Sequence, residues 1–280
     1  ILVTSQTGTS FFNFSEDNKI SLHKVIYCNN VNWAITDSDI SADNKFMVHS
    51  TLSPHFHLFD LEKSKYAGHF NLQEDGDDED PRSFYDWYST IRVFSLKLSG
   101  DQKEVIAGCG RIGQYAPIQL FDISQNKLKQ SIQAHKNDIN SICYVDRGNS
   151  SIFISGSDDN TCKLWDTRIL KNNAPVGRFY GHMSGITYVA SKEDNHYFIS
   201  NSKDQSIKMW DLRKSVSEEK QIMSMSFDYR YHQPSAHQIK RLKELKKQAD
   251  VPDQSVMSFE GHSVSGTLIR CHYSPLYGTG

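Results

Sequence analysis

The chain has 280 residues, 38% of them hydrophobic and 23% charged, with a formal net charge of −2. That length can bury a sizeable core as two small domains or one large all-β domain, and the near-neutral charge excludes nonspecific polyanion binding through overall charge. No run of 18 apolar residues occurs, which argues against a membrane-spanning helix.

The elements follow one another as short alternating stretches between turn residues, the pattern of β-strands. ILVTS, FFNFS and SLHKVI open the chain and look like the last three strands of a unit that starts upstream of Ile1. The spacing then predicts first strands at Trp33–Ser41 and Thr90–Leu98 and second strands at Lys45–Leu52 and Lys103–Cys109. HFHL before Phe59-Asp60 and PIQL before Phe121-Asp122 close two weaker units. Between them lies the acidic run Glu74–Asp80, a solvated loop whose spacing is not that of an EF-hand.

From Ala134 the units become explicit. Ala134-His135 opens a block, the stretches Ile139–Val145, Ser151–Ser155 and Cys162–Trp165 fill it, and Trp165-Asp166 closes it. Gly181-His182 opens the next, Trp210-Asp211 closes it, and Gly261-His262 opens a third. The phrase FISGSDDNTCKLWDTR at Phe153–Arg168 returns as FISNSKDQSIKMWDLR at Phe198–Arg213, 45 residues later with nine of sixteen positions identical. Such a period marks one structural unit copied along the chain. Each block reads as three strands with a fourth after the Trp-Asp.

These residues resemble the WD-repeat family, in which each block contributes to a four-stranded propeller blade. The resemblance implies an all-β propeller, here about four recognisable blades with partial blades at both ends. A strand at Thr267–Tyr273 would begin the last of these. Closed propellers of this type have about seven or eight blades, so residues 1–280 are expected to be an incomplete piece of the ring. The resemblance also implies polar tetrads at His135, Ser155, Asp159 and Trp165 and at His182, Ser200, Asp204 and Trp210. Their logic is mutual satisfaction of groups that are costly to bury alone. Ser, His and Asp in one motif could also suggest a hydrolase triad, but recurrence in successive blocks fits a structural role.

Two other features interrupt the rhythm. Forty-nine residues separate Trp210-Asp211 from Gly261-His262, and residues 214–255 are read as an inserted loop and helix. In HQIKRLKELKKQ, Ile239, Leu242 and Leu245 fall roughly on one face, as in a solvated amphipathic helix or a docking surface; no aromatic interleaves its basic residues as single-strand readers require. His55 and His57 alternate in a strand and point to one face, but no third ligand sits at a telling spacing, so no metal site is expected. Cys28, Cys109, Cys143, Cys162 and Cys271 form no Cys-x-x-Cys pair and read as buried reduced thiols.

Arg168 and Arg213 follow the two Trp-Asp pairs at the same offset. Each could simply pair with a nearby carboxylate, yet together they make a paired basic feature. They resemble the Trp-Asp-x-Arg boxes of substrate receptors in cullin-4 RING ubiquitin ligases. The insert FDYRYHQ and the stretch TLIRCHYSP extend that resemblance along the chain, most clearly after Asp138. It implies a non-enzymatic, intracellular receptor of the cytoplasm or nucleus with no cofactor. Its adaptor, damage-specific DNA-binding protein 1 with cullin-4, would dock on Trp165, Asp166, Arg168, Trp210, Asp211 and Arg213, while another face would hold a protein substrate. A general WD-repeat scaffold without a ligase link is the alternative.

Overall fold

The computed structural model describes residues 2–4, 8–14, 19–27, 34–73, 91–111, 115–170, 173–220, 237, 240, 241, 244 and 253–274. Its strands form antiparallel meanders in chain order. The first sheet has three strands, β1 (Leu2–Thr4), β2 (Gly8–Phe14) and β3 (Ile20–Tyr27). Four four-stranded sheets follow. They are β4–β7 (Ile35–Ile40, Phe46–Thr51, His55–Asp60, Lys65–Asn71) and β8–β11 (Arg92–Leu98, Glu104–Gly110, Ala116–Asp122, Lys127–His135). Then come β12–β15 (Ile139–Asp146, Asn149–Ser157, Cys162–Asp166, Gly177–Phe179) and β16–β19 (Ile186–Ser191, Tyr197–Ser202, Ser206–Asp211, Met257–Glu260). The first strands β4, β8, β12 and β16 pack successively on one another. The fold is the stacked-blade arrangement of a propeller that the described residues do not close.

The inner strands are buried on both faces, so they read as near-continuous apolar runs. In β9, Val105, Ala107 and Cys109 pack toward Val48 and Phe56 of the preceding sheet. Ile106, between them, packs toward Ile139, Ile142 and Trp165 of the following sheet. The same alternation sends Phe153 backward and Ile154 forward, against Ile186 and Trp210. Close approach requires glycine at matching places. A Cβ on Gly108 would lie 2.7 Å from Ile139 Cγ2, and one on Gly156 would lie 2.6 Å from Ile186 Cγ2. Each glycine marks where the next blade's first strand presses on the preceding blade's second strand.

Two expectations need correction or completion. Thr267–Tyr273 is not a strand. Instead, the Ile269 carbonyl accepts hydrogen bonds from Thr187 Oγ1 at 3.1 Å and Asn201 Nδ2 at 3.0 Å, and no described strand pairs with this stretch. The fourth strand of the last sheet, β19, comes only after the long insert and pairs with β18. The insert therefore lies between the third and fourth strands. Its start docks on the neighbouring sheet, where Val216 exchanges both backbone hydrogen bonds with Arg178 of β15. The described residues of the basic stretch, His237, Lys240, Arg241 and Glu244, are helical and exposed. Ile239, Leu242, Leu245 and the acidic run 74–80 lie outside the described residues. Among the described residues, no helix is long and apolar enough to cross a membrane.

Candidate functional site

The repeated phrase builds two polar centres with the same hydrogen-bond pattern. His135 ends β11, Ser155 lies in β13, Asp159 in the β13–β14 turn and Trp165 in β14. His135 Nδ1 lies 2.8 Å from Asp159 Oδ2, its Nε2 lies 2.7 Å from Ser155 Oγ, and the Trp165 indole donates to the same hydroxyl at 2.8 Å. In the next sheet His182 meets Asp204 at 3.1 Å and Ser200 at 2.7 Å, and Trp210 donates to Ser200 at 2.7 Å. A neutral imidazole fits this chain of donors. Burial pulls the His135 pKa down against the opposing effect of Asp159, while Asp159 is held below the usual carboxylate range because His135 and Lys163 outweigh its own burial. The Ser-His-Asp distances match those of a hydrolytic triad. Ser155 and Ser200 are nevertheless fully buried, and each spends its oxygen on an indole N–H, so neither hydroxyl can meet a substrate.

The two arginines occupy the opposite end of β14 and β18 from the tetrad turns. Arg168 donates from Nε to Asp166 Oδ1 at 2.9 Å and from a terminal nitrogen to Oδ2 at 2.5 Å. Arg213 grips Asp211 the same way, at 2.8 Å and 2.8 Å. The aspartates cap the turns as well, accepting from the backbone N–H of Arg168 and Arg213 at 3.0 Å each. Hydrogen bonding from Arg213 holds the Asp211 carboxyl near a pKa of about 2, and Arg168 lowers Asp166 by the same means. The forks are fixed, yet the side chains of Arg168 and Arg213 remain 68% and 64% exposed. Equivalent aspartates in earlier sheets also cap turns, Asp60 with Lys63 and Asp122 with Ser124 and Gln125, but no arginine follows them at that offset.

The remaining candidates form no metal or reactive-thiol centre among the described residues. His57 stacks between His49 at 4.8 Å and His69 at 4.9 Å, and His55 stacks on His69 at 4.5 Å. Stacked rings do not converge their nitrogens, and no described group of three or more His, Cys, Asp or Glu is arranged to hold a metal. Cys109, Cys143, Cys162 and Cys271 are free and buried, and Cys28 lies outside the described residues. Sequence reasoning missed a buried ion cluster between the first strands of two sheets. Buried Asp37 of β4 accepts from Lys97 Nζ of β8 and Ser95 Oγ, both at 2.7 Å, and meets Arg270 at 2.9 Å. Its sequence signal is slight: Asp37 sits in the polar stretch ITDSDI and Lys97 in the mostly apolar strand RVFSLKL.

The WD domain, G-beta repeat family matches residues 126–166 and 173–211. The LEC14B protein of Lithospermum erythrorhizon is 36% identical over 254 residues, 89% of this chain and 51% of that protein. A DDB1- and CUL4-associated factor 11 homolog of Caenorhabditis briggsae is 35% identical over 192 residues, 65% of this chain and 32% of its own length. Human DDB1- and CUL4-associated factor 10 matches a shorter stretch of 95 residues at 34% identity, 34% of this chain and 15% of its own length. The chain thus spans about half the length of the LEC14B relatives, 51% and 54%.

Proposed function

With WD40 repeats and homologues named DDB1- and CUL4-associated factor as the premise, we propose that this chain is the non-enzymatic substrate-receptor part of a cullin-4 RING ubiquitin ligase. The observation that carries the reading is the pair of pre-set arginines. Arg168 and Arg213 occupy the same offset on successive sheets, each clamped by the aspartate of its own Trp-Asp and each largely exposed. A clamped guanidinium has lost rotamer freedom before it meets a partner, so docking costs less entropy. Its remaining N–H groups still present a planar donor edge for carboxylates or carbonyls. Asp166 and Asp211 hold the forks in place, while Trp165 and Trp210 are buried in the same strands. Catalysis would belong to the ligase and its conjugating enzyme, through proximity that the receptor supplies.

The test is co-purification of the adaptor, damage-specific DNA-binding protein 1, with R168A/R213A. The double variant should lose adaptor affinity by at least about tenfold, roughly 1.4 kcal/mol, and keep its far-ultraviolet spectrum and melting temperature. R168K/R213K retains charge without the fork and should fall between the two. Unchanged recovery by a well-folded R168A/R213A variant would remove the dock. If the unmodified chain recovers neither adaptor nor cullin, the general scaffold reading takes its place.

A further inference from the structure

At the end of β14 opposite Arg168, the inserted segment and the fourth sheet enclose a cleft of about 330 Å³. Four cationic side chains line it: Lys136 from the β11–β12 turn, Lys163 of β14, Arg178 of β15 and Lys220 of the insert. The wall is built rather than incidental. Arg178 pairs its backbone with Val216 and hydrogen-bonds the Ser217 carbonyl through its side chain. The Tyr180 hydroxyl donates to the Glu218 carbonyl at 3.2 Å and accepts from Lys220 N–H at 3.0 Å.

Two buried donors line this cleft without a hydrogen-bond partner among the described residues. Asn160 is only 2% exposed, and neither its Nδ2 nor its Oδ1 makes a hydrogen bond. Arg178 Nε is buried and equally unbonded. Buried polar groups are satisfied in all but a few cases, and an exception demands a reason. Two carboxylates also line the cleft. Asp159 is already spent on His135, on Thr161 and on backbone N–H groups. Glu219 is different: it pairs with Lys136 at 2.8 Å, with both side chains about 60% exposed (63% and 59%). An exposed pair of this kind contributes little stability and exchanges readily. Glu219 therefore stands where an incoming anion would sit.

We propose that this cleft binds a phosphorylated serine or threonine side chain of a partner protein, which displaces Glu219. A carboxylate offers two acceptor oxygens and one charge. The donors here are three ammonium groups, one of which, Lys163, already gives one hydrogen to the Ala134 carbonyl at 2.7 Å, together with a guanidinium Nε–H and a buried amide, more than a carboxylate can use. A phosphate monoester brings three acceptor oxygens and a charge of about −1.5 to −2. Burial pulls the Lys163 pKa down more than Asp159 raises it, and a dianion would offset that loss. The cleft and Arg168 lie at opposite ends of a five-residue strand, about 17 Å apart by strand rise. A phosphorylated protein could thus be held while Arg168 and Arg213 remain open to an adaptor. The biological occupant rests on the receptor reading, but the binding does not.

The experiment titrates the 280-residue chain, without adaptor, with capped tripeptides carrying phosphoserine, serine or glutamate, and with inorganic phosphate. The phosphoserine peptide should bind at least about tenfold more tightly than the glutamate peptide. E219Q should raise its affinity several-fold, because it removes the competing charge. N160G should lower it about fivefold or more without loss of folding, because Asn160 has φ +69° and glycine adopts that conformation freely. The opposite signs of these two variants separate site chemistry from misfolding. Equal affinity for serine and phosphoserine peptides, or no effect of N160G, would overturn the proposal. Affinity for inorganic phosphate equal to that for the peptide would assign the cleft to the free anion and overturn the peptide occupant. Failure of this experiment leaves the Arg168–Arg213 dock intact, since adaptor binding is measured separately.

Discussion

At the scale of single residues, the tetrads obey a rule of paired donors and acceptors. Trp165 and Trp210 each need an acceptor for a buried indole N–H, and Ser155 and Ser200 supply it. Where phenylalanine replaces tryptophan, no acceptor is required. The place of Ser155 is taken by Ala107 in the sheet of Phe121 and by His49 in the sheet of Phe59, where the two rings stack at 5.1 Å. The weaker units are therefore self-consistent variants of the same design. Ser200→Ala would leave His182 Nε2 and Trp210 Nε1 unsatisfied at a buried site. It should cost about 2–4 kcal/mol in urea unfolding, whereas Arg168→Ala, at an exposed ion pair, should leave the urea midpoint nearly unchanged.

At the scale of elements, the β5–β7 sheet carries an acid sensitivity. Burial lowers the pKa of His49 to about 3 and of His55 and His57 to about 4, with further lowering from His57 on His49 and from His69 on the other two. Unfolded, these rings titrate near 6.5. The folded sheet thus holds them neutral. Its stability is full above pH 6.5 and falls as the pH drops toward 4, because the unfolded chain gains protons that the folded chain refuses. Urea midpoints measured from pH 7.5 to 4.5 should decline over that window, and His57→Phe should flatten the decline. A second element-scale expectation concerns blade contact. Gly156→Ala would set a Cβ 2.6 Å from Ile186 and 2.8 Å from Val189 side chains. It should destabilise by about 1–3 kcal/mol, as overpacking does. The matching residue of the next phrase, Asn201, has a free place for its side chain and bonds His262 and Ile269 instead.

At the scale of the whole molecule, Asp37, Lys97 and Arg270 tie the second sheet, the third sheet and the stretch after Gly261-His262 into one cluster. Lys97 and Arg270 together hold Asp37 below the ordinary carboxylate range although its burial acts the other way. Arg270→Ala leaves Lys97 in place, so the cluster should lose about 1–3 kcal/mol. Hydrogen exchange should speed up in β4 and in residues 261–274 together. Faster exchange in only one of them would mean that Arg270 does not couple the two.

The strands were legible because a two-residue alternation needs no tertiary information. The stretches at Ile139–Val145, Ser151–Ser155 and Cys162–Trp165 lie within β12, β13 and β14. The offset of Arg168 and Arg213 was equally plain. Apart from the tetrads, whose repeat motif marks them, the contacts between distant residues escaped: Arg270 with Asp37, Val216 with Arg178, and Lys136 with Glu219. Thr267–Tyr273 carries a strand-like pattern, yet its backbone is held by side chains of β16 and β17 and not by a neighbouring strand.

The sequence by itself determined the repeat, its four-stranded units and the two Trp-Asp-x-Arg endings, since periodicity and local turn chemistry are properties of neighbouring residues. Only the tertiary structure decided that each arginine is clamped by its own aspartate and still faces solvent, that the Ser-His-Asp sets are sealed from substrate, and that the insert folds back to wall a cationic cleft. The clamp itself joins residues two apart, but the exposure of the arginines, the sealing of the Ser-His-Asp sets and the return of the insert depend on burial and on pairings across tens of residues, which no local pattern encodes.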